Sequence, residues 1–501
     1  MGIKQVLRMT IKSHPFLLCV VFSSNAWAQF DFNQKEVKEA YKNILKLKVD
    51  VAKTQLANLR DTSKFNQNGV VPLLENYLDI ITLLTTENKV LYKKLKPNEA
   101  SRIREIKSLN QNSPLYLYTQ ADIKLQWAFV ELIFEDYVSG FIDLKRANEL
   151  IEANIKKYPN YKLNNKVKGL IDLLTEAAPE EANIALYAAG LSRSTKGSEK
   201  LVETSVFEPF FKTEIDIYLA FTNAYIKNDA ELAMWKIEKT YKDQPDNLFA
   251  LFTYVNILSK LKMHQNILNT LKENPIHRKK GYLYIPYIDY LLGETQLNLL
   301  QYTQSITSFR NYLSNSQDNT LFCANTCYKL AITYNSLRKN DSANYYLDKI
   351  LEYPSNDLYL DQYAVHFTKN NIKIESTLSR SRLLFDGGEY QQTYDLLIKT
   401  PEYKNVNYTV EKYYRLGSCA RQLGKNKEFV EHYVKCVNLA DATDYNYYAA
   451  YACLQLGYHY QSIGETQWAL KYFKQAKVYK NHFYYTSVKD KADLKIKSLA
   501  P

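Results

Sequence analysis

Residues 451–477 read YACLQLGYHYQSIGETQWALKYFKQAK. Leu456, Gly457 and Tyr460 recur at helical spacing, and so do Ala469, Phe473 and Ala476 after Gly464, a residue suited to the tight turn between two helices. Small side chains fall where two helices must touch, and large ones where a third must be covered. The stretch is a helix, a turn and a second helix, and it needs neighbours of the same kind to bury its apolar face.

This spacing resembles the tetratricopeptide repeat (TPR), which carries Leu-Gly at repeat positions 7 and 8, an aromatic at 11, a small residue at 20, an aromatic at 24 and Ala at 27. Leu456-Gly457, Tyr460, Ala469, Phe473 and Ala476 occupy those positions. Tyr413, Leu416-Gly417, Ala420, Gly424 and Tyr433 mark the preceding repeat, and Ser381, Leu384, Gly388 and Leu397 the one before it. The position-8 residues Ser381, Gly417 and Gly457 are 36 and 40 residues apart, longer than the consensus of about 34. Turns or helices must therefore be extended by a few residues. Leu292-Gly293, Ser305 and Phe309 mark a further repeat, and Leu330-Ala331, Tyr334 and Ala343 the next, while residues 355–371 read as an insertion.

Towards the N-terminus the landmarks thin out. Residues 211–245 carry Ala224, Ala233 and Ile237; residues 248–275 form a short, degenerate pair; residues 115–159 carry Ala147, Ile151 and Pro159. Before Leu109 the pattern is helical without repeat landmarks, with a hairpin expected over 35–59 and a helix opened by Pro97. The polar stretch 192–203, punctuated by Gly197, marks a soft boundary near residue 200, and residues 487–499 read as the solvating helix that a stack needs at its open end. The expected division is 1–28, a leader; 29–200, an N-terminal helical region; 201–280, degenerate repeats; 281–480, the TPR array; and 481–501, a C-terminal cap. With only 14 Gly and 13 Pro in 501 residues and no sustained period-2 alternation, the fold class is all-α. The resemblance implies an α-solenoid of stacked antiparallel helix pairs forming a right-handed superhelix.

The first 28 residues have the three parts of a secretory signal: Lys4, Arg8 and Lys12, then an apolar centre from Pro15 to Phe22, then Ala26-Trp27-Ala28. Export is expected, with cleavage after Ala28 and a periplasmic or outer-membrane-associated product. The apolar centre is shorter than the roughly 20 residues that span a bilayer, and no later stretch could cross one. Cys19 lacks the small residue before it that a lipoprotein signal needs. Loss of the leader's three basic residues lowers the formal charge from +12 to +9. That remainder is spread, and its densest piece, His277 to Lys280, is too short for a nucleic-acid track; no nucleic-acid partner is expected.

Five cysteines remain after Cys19, with no paired spacing, so they read as buried thiols rather than a disulfide framework or a zinc site. None of the seven histidines is paired at metal-ligand spacing, and there is no G-x-S-x-G, H-E-x-x-H or phosphate-cradling loop. No cofactor, no metal and no enzymatic activity are expected. The 43 tyrosines against 21 phenylalanines suit aromatic recognition, although an AT-rich genome and TPR packing account for much of the excess.

Leader, Tyr/Lys/Asn-rich composition and repeats together resemble exported TPR proteins of the Bacteroidetes type. That resemblance implies a scaffold of the cell envelope, taking a protein or peptide into the concave groove lined by first helices. A SusD-like glycan-binding protein is the alternative, but those are lipoproteins and this chain has no cysteine at its expected mature start; a helical-toroid glycoside hydrolase is a further one. The family's repeat geometry turns positions 2, 5, 9, 12 and 13 into the groove. Counting from the landmarks gives Tyr287, Tyr290, Glu294, Asn298, Tyr328, Asn335, Arg382, Tyr414, Arg421, Tyr451 and Tyr458 as the candidate lining.

Overall fold

A computed structural model describes residues 30–61, 68–178, 186–187, 190–316, 321–353, 358–370, 372–440 and 446–499. The leader and its cleavage site after Ala28 lie outside the described residues, as does Pro179. Among the described residues the regular structure is helical throughout, with no strand, and the helices form stacked pairs of the TPR type. They belong to two compact units, 1–257 with 274–285, and 258–273 with 286–501.

In the N-terminal unit the hairpin expected over 35–59 is α1 (Lys35–Leu45) and α2 (Val49–Asp61). It is followed by α3 (Val70–Thr86), α4 (Lys89–Leu95), α5 (Pro97–Lys107), α6 (Pro114–Ile133), α7 (Tyr137–Lys157), α8 (Asn164–Ala177), α9 (Gly197–Phe207), α10 (Lys212–Phe221) and α11 (Ala230–Asp243). Pro97 and Pro114 stand in first turns, where a missing N–H costs nothing, and Ser113, Asp136 and Asp229 accept from backbone N–H groups as N-caps. The polar stretch 192–203 is no break in the packing. Its Gly197 opens α9 against α8 so closely that a Cβ there would lie 2.6 Å from the Gly169 carbonyl oxygen. The division into units falls later, across α12 (Leu248–Lys260).

The heart of this unit is ionic. Lys166, on α8, is fully buried, with its Nζ 3.1 Å from Asp122 Oδ2 of α6 and 3.2 Å from Glu214 Oε1 of α10. Tyr41 and Tyr218 donate to Glu214 at 2.6 and 2.7 Å, and Tyr77 packs its hydroxyl against the same ammonium. Burial opposes the Lys166 charge, but the two carboxylates more than offset it and hold its pKa above the ordinary lysine value.

The C-terminal unit contains α13 (His264–Glu273) and then helix pairs: α14 (Pro286–Asn298) with α15 (Tyr302–Asn315), and α16 (Cys323–Ser336) with α17 (Asn340–Ile350). Residues 355–371, expected as an insertion, contribute one further helix, α18 (Tyr359–Lys369), packed on α16 and α17. Then come α19 (Ser376–Asp386) with α20 (Tyr390–Lys399), α21 (Val406–Gln422) with α22 (Asn426–Leu439), α23 (Tyr447–Ser462) with α24 (Thr466–Ala476), and the closing α25 (Tyr485–Leu499).

Two features fix the repeat register. At position 8, a Cβ on Gly293, Gly417 or Gly457 would lie 2.6, 2.4 or 2.6 Å from the ring of Phe309, Tyr433 or Phe473, the position-24 aromatic of the same pair. Only glycine lets those rings pack against the helix. At position 15, in the turn of each pair, Leu300, Arg338, Gly388, Gly424 and Gly464 all have φ between +57° and +86°, the left-handed cap that ends one helix and starts the return. The five cysteines of the described chain are buried thiols in no disulfide among the described residues, as their packing positions imply.

Candidate functional site

The longer repeat spacing finds its explanation in the first helices. Position 1 of the last two repeats falls at Val410 and Ala450, yet α21 begins at Val406 and α23 at Tyr447, so each carries about an extra turn at its N-terminal end. That turn brings Tyr408, Tyr447 and Tyr448 beside the groove positions. With Tyr363 of α18, Arg382 of α19, and the segment 480–484 ahead of α25, they enclose a cavity of about 1180 Å³ within the C-terminal unit.

Its walls are tyrosine rings packed on one another at tilted or stacked angles. Tyr414 lies 5.1 Å from Tyr448 and 5.7 Å from Tyr433, ring centre to centre; Tyr447 lies 5.0 Å from Tyr451 and 4.4 Å from Tyr484. Burial pushes the Tyr414 phenol up to about 12, so it enters as a neutral hydrogen-bonding group. The same effect lowers His482 to about 4 and lowers His366, leaving both imidazoles neutral near pH 7. Charge is carried instead by Lys373, Arg382, Arg415, Arg421 and Lys480, against Asp386 and Glu411. Five basic groups face two acidic ones.

The arginines are positioned rather than loose. Arg415 Nε donates to Glu411 Oε1 at 2.7 Å, one helical turn away, and its guanidinium sits 5.7 Å from the Tyr448 ring centre. Arg382 Nη1 donates to the Tyr328 hydroxyl at 3.2 Å, its guanidinium lies 5.7 Å from the Tyr363 ring centre, and Asp386 approaches Nε at 3.7 Å. Planar cations fixed over aromatic faces keep donors available for a carboxylate.

Of the eleven candidate residues, Arg382, Tyr414, Arg421 and Tyr451 line this cavity. Arg421 donates to Gln455 of the next first helix. Glu294, Asn298 and Tyr328 line, with Arg382, a smaller cavity of about 310 Å³ in the same unit, where Glu294 pairs with Lys329 at 2.7 Å. Tyr290 belongs to the core instead: Phe322, in a left-handed cap ahead of α16, lays its ring 4.7 Å from it, and its hydroxyl donates to Asn325 Oδ1 at 2.9 Å. Tyr287 is half-buried under the same Phe322 ring, 5.0 Å away. Asn335 is half-buried and lines neither cavity. Tyr458 packs edge-on against Phe473 at 5.3 Å and beneath Lys495 of α25, so the terminal helix covers a position that an open repeat would expose.

Repeat counting misses Tyr363, Arg415, Tyr448 and Tyr484. Tyr363 lies in the inserted helix and Tyr484 beyond the last repeat, where there is no register to count from. Tyr448 lies in the added first turn, and the excess spacing was the one sign of it. Glu411, at position 2, was within reach of the same count.

No protein-family model matches the sequence, and no curated protein matches it. Among solved structures, the chain is similar to a human IFIT1 dimer with PPP-AAAA, at 12% identity over 84% of this chain and 94% of that one, with a TM-score of 0.34. A monomeric IFIT1 mutant with Gppp-AAAA gives 12% identity, 95% and 99% coverage and a TM-score of 0.31. An APC/C hetero-tetramer, Cut9-Hcn1, gives 11%, 93% and 99%, and 0.25. Superpositions this loose match no individual residue of those proteins to one here.

Proposed function

We propose that this chain is a non-enzymatic scaffold of the cell envelope that takes a segment of a partner protein into the Tyr/Arg cavity of its C-terminal unit. The observation that carries the reading is the cavity itself: about 1180 Å³, walled by tyrosines packed on one another and by Arg382 and Arg415 held in fixed poses. Tyrosine faces suit apolar and aromatic side chains, and the excess of basic over acidic lining suits carboxylates. The fitting occupant is an extended or helical peptide segment with more acidic than basic residues. Supporting the envelope setting is the three-part leader of residues 1–28; mature protein from the envelope fraction should begin at Gln29, and an intact Met1 on cytoplasmic protein would overturn export.

The site is tested by Tyr414→Ala combined with Tyr451→Ala. Interface aromatics are each worth about 2 kcal/mol or more, so recovery of the native partner from envelope extracts should fall by more than roughly tenfold while helical content is kept. A folded double variant that retains its partner in full would place binding elsewhere.

A further inference from the structure

A second pocket lies in the N-terminal unit, remote in sequence from the repeats. Glu208 precedes Pro209, and the residue before a proline is driven out of the helical region; α9 therefore ends, with Glu208 at φ −125° and ψ 71°. The single 3₁₀ turn that follows, Pro209–Phe211, presents Phe210 and Phe211. The segment 30–33 packs against both through Phe32. Phe30, Phe32, Tyr161, Phe210 and Phe211 thus line a pocket of about 440 Å³, together with Leu115 and Leu163, with Asp31 and Glu208 as its acidic groups.

The lining contains two carboxylates and no lysine or arginine. Asp31 is engaged locally, accepting from the Asn33 N–H at 2.7 Å. Glu208 is different: half-buried, its carboxylate has no hydrogen bond or ion pair among the described residues, and burial alone raises its pKa, with no counter-charge to lower it. A desolvated, unpaired carboxylate is costly unless something else completes it. The phenylalanines show what suits their faces, for Lys38 Nζ lies 6.0 Å from the Phe210 ring centre and Lys166 Nζ 5.5 Å from that of Phe211. Phe32 meets Phe211 edge to face at 5.4 Å and Phe210 at 6.1 Å, which builds a corner of ring faces rather than a flat wall.

We propose that this pocket binds an organic cation, an ammonium or guanidinium carried on an apolar body, with the charge against Glu208 and the body among the rings. Aromatic faces attract such cations most strongly where water is excluded, and the unpaired carboxylate supplies the counter-charge. A free amine and the basic side chain of a polypeptide share this chemistry.

Titration calorimetry on the full chain separates the possibilities, using choline, its neutral isostere 3,3-dimethylbutan-1-ol, and the capped tripeptide acetyl-Gly-Arg-Gly-amide. Choline, the tripeptide or both should bind at least tenfold more tightly than the isostere; choline alone assigns a small amine, and the tripeptide alone a polypeptide side chain. Glu208→Gln, which removes no bond the fold uses, should abolish the preference for charge, and Phe210→Ala should weaken binding by about tenfold. Equal binding of cation and isostere, no binding of either cation at millimolar concentration, or an unchanged preference in folded Glu208→Gln would overturn the proposal.

Discussion

Lys166→Met removes a fully buried cation from the interior of the N-terminal unit and leaves its shape nearly intact. In the native chain the ammonium lies within 3.2 Å of both Asp122 and Glu214, carboxylates about 1% exposed. Breaking a buried ion pair by deleting one partner costs about 3–5 kcal/mol, because the remaining charge stays buried without compensation. For a unit of this size, each kcal/mol lowers the melting temperature by roughly 2–4 °C, so calorimetry should show a loss of roughly 6–20 °C in the transition of this unit. The sign with pH follows from the two states. Lys166 has its folded pKa raised, so its contribution is present in full below the unfolded value of about 10.4 and fades only as pH rises through the folded value. In the variant the two carboxylates are left buried without their counter-charge. A triple variant with Asp122→Asn and Glu214→Gln added should recover much of the loss. A destabilisation under about 1 kcal/mol, or a triple variant no more stable than Lys166→Met alone, would refute the reasoning.

Gly457→Val sets a branched side chain against the fully buried Phe473 ring, where even a Cβ would stand at 2.6 Å; overpacking of this kind costs about 1–3 kcal/mol, to be read from urea melts of the C-terminal unit. Gly464→Val, at an open position, is strained only through its φ of +81°, and should leave the Phe473 environment unchanged by NMR. The five thiols should resist alkylation in the native protein at pH 8, since burial raises Cys323 to about 11 and Cys327 and Cys419 to about 12; all five should react after denaturation. Rapid native labelling of any of them would show that its pair opens.

The repeat register was legible because it rests on contacts inside one helix pair. Gly457 with Phe473, and the left-handed turn at Gly464, are set by steric necessity a few residues apart, and sequence records them directly. The groove is harder, because it depends on what neighbouring elements cover. Tyr290 and Tyr414 both occupy position 5, yet Phe322 closes over the first while the second stays on the cavity wall. Tyr458 is lost to the terminal helix for the same reason. Tyr363, Tyr448 and Tyr484 come from the insertion, the added turn and the tail, which a periodic count passes over. The Lys166 network was invisible for a different reason: its members come from helices that share no repeat, and only the folded chain brings Asp122, Lys166 and Glu214 together.

Photo-crosslinking in the native cell tests the cavity most directly, with p-benzoylphenylalanine replacing Tyr451 inside it or Val138, 74% exposed on α7, as the outside reference. The account predicts one discrete protein adduct from position 451, with the crosslinked peptide richer in Asp and Glu than in Lys and Arg. That adduct should disappear when Arg382→Ala and Tyr414→Ala are added to the folded chain, while labelling from position 138 stays unchanged. A crosslinked nucleic acid or basic segment, the same adducts from both positions, or an adduct that survives the two substitutions would contradict it.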